Sequence, residues 1–315
     1  MGEVGLFVLG AVLLLLGTDS LAKGVAALLA RRQSGGYAFA FSASALNAVI
    51  PAALVAGIAV HVGARDLALG GIVGGAIAQL GLVLGLAGVV APLRVRLAAF
   101  AWVNPLLLAA IVLVGVLAFD HQLSALDGGI LVVAFIVAAI LIGRVASRER
   151  EGARALFDAS ARTLAPALVV VRVLVGAGLA GYGAWLLVHA GIGLAGAAQW
   201  NALIIGLVAL GAVTALASAP AALGVARRGE GDFAVGQALL GALCNLLLLL
   251  GVLALWHPLA LPPSLLRFEL PALFALALAI YPMMRNDGEL SRREGSVLLA
   301  AYALFVAAEW WLVAV

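Results

Sequence analysis

The chain has 315 residues, of which 65% are hydrophobic and only 10% charged, with a formal net charge of +3. Soluble domains carry about 25% charged residues, so this composition excludes a water-soluble protein built on one core and points to an integral membrane protein. The basic balance does not indicate nucleic acid, because the charges sit between apolar runs rather than in a patch.

The N-terminal apolar run, Val4 to Gly17, follows Glu3 and no Lys or Arg precedes it. A cleavable signal peptide starts with positive charge, so this run is expected to be the first spanning helix. A spanning helix needs about 20 mostly apolar residues. Ten segments fit: 4–23, 37–60, 68–91, 98–118, 127–144, 164–188, 200–224, 233–256, 268–284 and 295–314. Their boundaries carry Gly, Pro or charge, as helix ends do. The runs are continuous rather than alternating, which favours helices over a barrel.

With the N-terminus outside, the inner loops hold fifteen of the Lys and Arg residues, from Lys23 to Arg293, and the outer loops hold Arg65 and Arg267. Arg172 falls inside the sixth span. This is the positive-inside pattern of a bacterial-type inner membrane, with both termini outside. Trp185, Trp200, Trp256, Trp310 and Trp311 then lie near outer helix ends, as an aromatic belt.

Asp66-Leu-Ala-Leu-Gly-Gly-Ile-Val-Gly-Gly-Ala-Ile-Ala-Gln-Leu80 recurs as Asp232-Phe-Ala-Val-Gly-Gln-Ala-Leu-Leu-Gly-Ala-Leu-Cys-Asn-Leu246, at an offset of 166 residues. At that offset Gly17 meets Gly183, Gly85 meets Gly251 and Pro92 meets Pro258. One residue later in register, Leu123-Ser-Ala-Leu-Asp-Gly128 meets Leu290-Ser-Arg-Arg-Glu-Gly295. Five spans per copy is an odd number, so the second copy crosses the membrane upside down. The expected fold is an all-α integral membrane protein of ten transmembrane helices in two inverted five-helix repeats. The first repeat is 1–145 and the second 164–315, joined by a charged cytoplasmic linker over 146–163. In this plan the substrate site lies near midplane, where the repeats meet.

Gly17-Thr-Asp-Ser-Leu-Ala-Lys-Gly24, Asp66-Leu-Ala-Leu-Gly70 and Leu265-Leu-Arg-Phe-Glu-Leu-Pro271 resemble segments of the cation/calcium antiporter superfamily, the sodium/calcium exchanger type. The resemblance covers nearly the whole chain and implies a secondary transporter that exchanges a cation. It also implies a G-[TS]-S-x-P-E motif on the second and seventh helices, and here the chain departs. Counting back without gaps, the motif falls on Asn47-Ala-Val-Ile-Pro-Ala52 and Val213-Thr-Ala-Leu-Ala-Ser218. The two glutamate positions hold Ala52 and Ser218. A second register, matching Ala40-Phe-Ser-Ala-Ser44 to the family's A-F-G-T-S, places Asn47 at the first glutamate but requires a five-residue slip.

Calcium takes six to eight oxygen ligands, normally with carboxylates among them, so neither register supports a classical Ca²⁺ site. The neutral candidates for binding an ion or a small polar solute are Ser44, Asn47, Pro51, Gln79, Thr214, Ser218, Gln237 and Asn245. Ser44, Asn47 and Pro51 share a helix face by their spacing, as do Thr214 and Ser218. Interhelical hydrogen bonding accounts equally well for such side chains. Asp19, four residues before Lys23, reads as a helical ion pair or a proton relay, with Arg172 a further partner. Glu309, beside Trp310 and Trp311, reads as an interfacial anchor rather than a gate, and Glu269 falls at a helix end. The four histidines are scattered without metal spacing, and the single Cys244 forms no internal disulfide. No catalytic constellation is visible and no cofactor is expected. The expected partners are the lipid bilayer and a small cation or solute. A membrane scaffold or accessory protein that keeps the fold without transporting is the alternative function, and the oligomeric state is left open.

Overall fold

The computed structural model describes residues 2–32, 37–94, 98–146, 166–198, 200–286 and 288–314. The expected linker over 146–163 therefore lies almost entirely outside the described residues. Among the described residues ten helices follow in chain order. In the first half they are α1 (Glu3–Arg32), α2 (Tyr37–His61), α3 (Arg65–Val90), α4 (Ala98–Leu117) and α5 (Ala125–Ala146). In the second half they are α6 (Pro166–Ala198), α7 (Ala202–Arg227), α8 (Gly231–Trp256), α9 (Leu265–Asn286) and α10 (Arg292–Ala314). Among the described residues eight of them are long and apolar enough to cross a membrane, and α2 adds the shorter apolar stretch Leu46–His61.

Two helices run further than the apolar runs suggest. α1 continues past Lys23 and through Gly24 to Arg32, with Asp19 and Lys23 paired along its surface at 2.6 Å. α6 continues past His189 to Ala198, where His189 Nδ1 lies 2.8 Å from the Trp185 carbonyl one turn back.

The inverted duplication is written in the contacts. α1 and α6 pack along each other at backbone distance. A methyl group on Gly17 would strike the backbone nitrogen of Ala180, and one on Gly183 would lie 2.5 Å from that of Leu14. Gly17 and Gly183 are mates at the 166 offset, and so are Leu14 and Ala180. Small residues of this kind allow helix backbones to approach closely in lipid, where van der Waals packing drives association.

Two short antiparallel ties close the ends of the bundle. β1 (Leu93–Arg94) pairs with β4 (Glu289–Leu290), and β2 (Gln122–Leu123) pairs with β3 (Leu259–Ala260). The strand after α3 joins the loop before α10, and the strand after α8 joins the loop before α5. One helix, α4, separates β1 from β2, so the two ties sit at opposite ends. The next residues form matching helix caps. Ser124 N and Oγ both donate to Asp127 Oδ2, at 2.8 and 2.6 Å. Ser291 N and Oγ donate to Glu294 Oε2 at 2.7 and 2.8 Å. Each is a capping box that satisfies amides at a helix start.

α3 and α8 form the buried centre, and almost every residue from Leu67 to Val83 and from Phe233 to Leu247 is buried. Both helices widen midway into π-type turns, Gln79–Val83 and Cys244–Leu249. Such single-turn bulges occur often at functional sites. All six tryptophans are exposed on the outside of the bundle.

Candidate functional site

Gln79 opens the π-type turn of α3 and Asn245 lies in that of α8. The two are mates at the 166 offset, and each lies across the other helix at a glycine. A methyl on Gly241 would lie 3.0 Å from Gln79 Cδ and 2.9 Å from Ala48 Cβ. A methyl on Gly75 would lie 3.0 Å from Asn245 Nδ2 and 3.4 Å from Thr214 Oγ1. Gly75 and Gly241 are mates, as are Ala48 and Thr214, so both trios straddle the pseudo-two-fold axis. The gapless offset thus holds in space through α2 and α7. One turn beyond Ala48 and Thr214 come Ala52 and Ser218, both buried.

Gln79 Nε2 donates to Ser218 Oγ at 3.1 Å across the repeat boundary. The Ser218 hydroxyl proton goes to the Ala215 carbonyl at 2.7 Å, which leaves the oxygen free to accept from Gln79. Gln237 Nε2 donates to the Ser218 carbonyl at 2.9 Å, and Thr214 Oγ1 donates to the Gly211 carbonyl at 3.1 Å. Gln237, Gly241 and Asn245 recur every fourth residue and so line one face of α8. Gln79, Thr214, Ser218, Gln237 and Asn245 therefore form one buried polar cluster from α3, α7 and α8. It contains no ionisable side chain.

Not every group in this region is satisfied. Asn245 Oδ1 and Asn47 Nδ2 are buried without a hydrogen-bond partner. A buried polar group left unpaired costs about 1–3 kcal/mol, so each is an unmet hydrogen-bonding group in this region. Asn47 and Pro51 are buried on α2, and Pro51 has no N–H to offer the Asn47 carbonyl one turn back. Ser44 lies outside the residues whose side chains are described.

The second group of candidates is apart from this cluster. Among the described residues Asp19 pairs with Lys23 and not with Arg172. Arg172 meets α1 through its carbonyl, which accepts from Ser20 Oγ at 3.4 Å. The Asp19–Lys23 pair is partly exposed. Its helical spacing and exposed ammonium make it a surface pair, of a kind that contributes little to stability.

Four buried polar residues escape sequence reasoning: Thr18, whose Oγ1 donates to the Leu14 carbonyl one turn back at 2.7 Å, and three others. Asn104 Nδ2 of α4 donates to the Ala277 carbonyl of α9 at 3.1 Å, and its Oδ1 has no partner. The available signal is an asparagine before Pro105 inside an apolar run. Glu309 is not an interfacial anchor: it is buried at 3% exposure, and Glu269 at 1%. The neighbouring Trp310 and Trp311 are exposed and take the outer surface instead. Among the described residues no three His, Cys, Asp or Glu side chains converge as a metal cluster.

Comparisons with known proteins agree with this architecture. The inner membrane protein YrbG of Escherichia coli K12 is 27% identical over 255 residues, covering 79% of this chain and 78% of its own. A putative antiporter, CaxA of Alkalimonas amylolytica, is 25% identical over 304 residues, covering 94% of this chain and 95% of its own. Solved structures of the sodium-calcium exchanger NCX_Mj superpose with a TM-score of 0.69 at 23% identity, covering 97% of this chain and 98% of that one. A family profile described as sodium/calcium exchanger protein matches residues 2–143 and 168–311, five helices in each segment. The chain is a membrane transporter-type protein of two inverted repeats, and it belongs to the sodium/calcium exchanger protein family.

Proposed function

We propose that this protein is an inner-membrane secondary transporter whose central site has lost its divalent-ion chemistry and takes a monovalent cation. The observation that carries this reading is the uncharged cluster of Gln79, Thr214, Ser218, Gln237 and Asn245 between the repeats. A divalent ion leaving water for a low-dielectric centre needs compensating negative charge. Here the two positions that the resemblance assigns to glutamate are Ala52 and Ser218. A monovalent cation requires less compensation, and the Thr214 and Ser218 hydroxyls and the amide oxygens of Gln79 and Asn245 are suitable donors. The unpartnered Asn245 Oδ1 is an oxygen still without a partner.

The positive-inside distribution supports an orientation with both termini outside and the linker over 146–163 in the cytoplasm. The β1–β4 tie then lies at the inner end and the β2–β3 tie at the outer end.

A second reading has one specific observation in its favour. The Gln79–Ser218 hydrogen bond joins the two repeats directly. A bond that stays closed would lock the centre and leave a membrane scaffold that retains the fold without transport. Reconstituted protein separates the readings. A transporter shows Na⁺- or K⁺-dependent thermal stabilisation that Asn47→Ala or Ser218→Ala abolishes. Stabilisation by small polar solutes but by no cation would reassign the substrate, and absence of any binding or flux would favour the scaffold.

A further inference from the structure

Glu269 and Glu309 are the two buried carboxylates among the described residues. Glu269 closes the π-type first turn of α9, and Glu309 lies near the end of α10. Their helices are fixed against each other by Phe268 and Phe305, whose rings stack with centroids 5.7 Å apart. Glu269 follows Phe268, and Glu309 lies one turn beyond Phe305, so the stack brings together the two segments that carry the acids. Trp200 closes the outer side, its ring edge-on to Trp310 at 4.4 Å.

The hydrogen bonding is incomplete. Ser264 Oγ donates to Glu269 Oε1 at 3.0 Å, while Glu269 Oε2 and Glu309 Oε1 are buried with no partner. Two ionised carboxylates here would repel each other, and each would keep an unsolvated oxygen. Among the described residues no ion pair involves Glu269 or Glu309. α4 over 98–117 carries no ionisable side chain, and α3, which packs on both helices, carries only Arg65 and Asp66, at its start. On the two helices themselves the flanking ionisable groups are Tyr302, two turns back on α10, and Arg267, exposed on α9.

We propose that Glu269 and Glu309 form a proton-binding site at the bundle end opposite the arginine-rich end, separate from the central cluster. One carboxyl takes a proton from water, forming an O–H bond and leaving hydroxide to the solvent. That O–H donates to the facing carboxylate oxygen. A single proton thus cancels one charge and gives an unpaired oxygen its donor. A metal cation fits worse, because two carboxylates and one serine hydroxyl fall short of the six to eight oxygens that calcium takes. The pair gives the protein a titratable group that its uncharged centre lacks.

Difference infrared spectroscopy of the full chain in lipid nanodiscs tests this. The expected result is a carbonyl stretch of a protonated carboxylic acid at neutral pH. It should be lost in both Glu269→Gln and Glu309→Gln and kept in Glu289→Gln. Absence of the band in folded wild-type protein at neutral pH overturns the proposal, whatever the variants do. So does a band that survives both substitutions, or one that Na⁺ or Ca²⁺ removes at constant pH.

Discussion

Gln79 of the first repeat donates to Ser218 of the second across 139 residues of chain. The bond joins the π-type turn of α3 to the face of α7 on which the family resemblance places an acid. An amide and a hydroxyl meet at a position where the resemblance calls for a glutamate. The bond's strength is modest, and its location between the repeats gives it consequence.

Gln79→Leu keeps the volume of the side chain and removes the bond. Interhelical hydrogen bonds of this kind contribute about 1 kcal/mol in membranes, so unfolding in detergent should show a loss of that order. Gln79→Glu should instead create a cation-dependent stability, because a buried carboxylate then needs a partner. Thermal unfolding with and without Na⁺ measures both.

Gly183→Ala should be among the most damaging small substitutions. The added methyl would lie 2.5 Å from Leu14 N and 2.8 Å from the Gly10 carbonyl, both backbone atoms that cannot move aside. Overpacking a tight contact costs about 1–3 kcal/mol. Gly57→Ala is the control: nothing lies within 4 Å of a methyl there, and the helix gains up to about 1 kcal/mol in propensity. Opposite shifts in melting temperature are expected.

Ser124→Ala and Ser291→Ala should have matching effects, because the two capping boxes are repeat mates. Loss of an N-cap of this kind costs about 1 kcal/mol. Each variant, and additively the double one, should lower the stability seen in denaturant unfolding.

The ten helices and their inversion are legible in the sequence for two physical reasons. The bilayer demands long apolar runs, and the duplicated glycines persist because Gly17 and Gly183 meet backbone. The polar cluster is legible only as a set of residue types at depth. Which of them meet depends on how α3 crosses α7, and no local pattern encodes the Gln79–Ser218 pairing. Glu309 is misleading in the sequence because tryptophans beside a carboxylate suggest an interface. Its burial comes from the packing of α10 against α3 and α9, which links distant segments. The short β ties and π-type turns leave no periodic signature.

Ala52→Glu with Ser218→Glu restores the two carboxylates that the resemblance calls for, on mated positions of α2 and α7. If charge is what the centre lacks, the double variant should bind Ca²⁺ and the wild type should not. Calorimetric titration of both proteins in detergent checks this, with Gln79→Ala added to make room for the longer side chain on α7.

The most direct test of the central claim is radiolabelled Ca²⁺ uptake by proteoliposomes of the wild-type protein under an outward Na⁺ gradient. An uncharged centre predicts uptake no greater than in protein-free vesicles. Na⁺-driven Ca²⁺ accumulation above that background, lost in Ser218→Ala, would show that the site handles a divalent ion and would contradict the account.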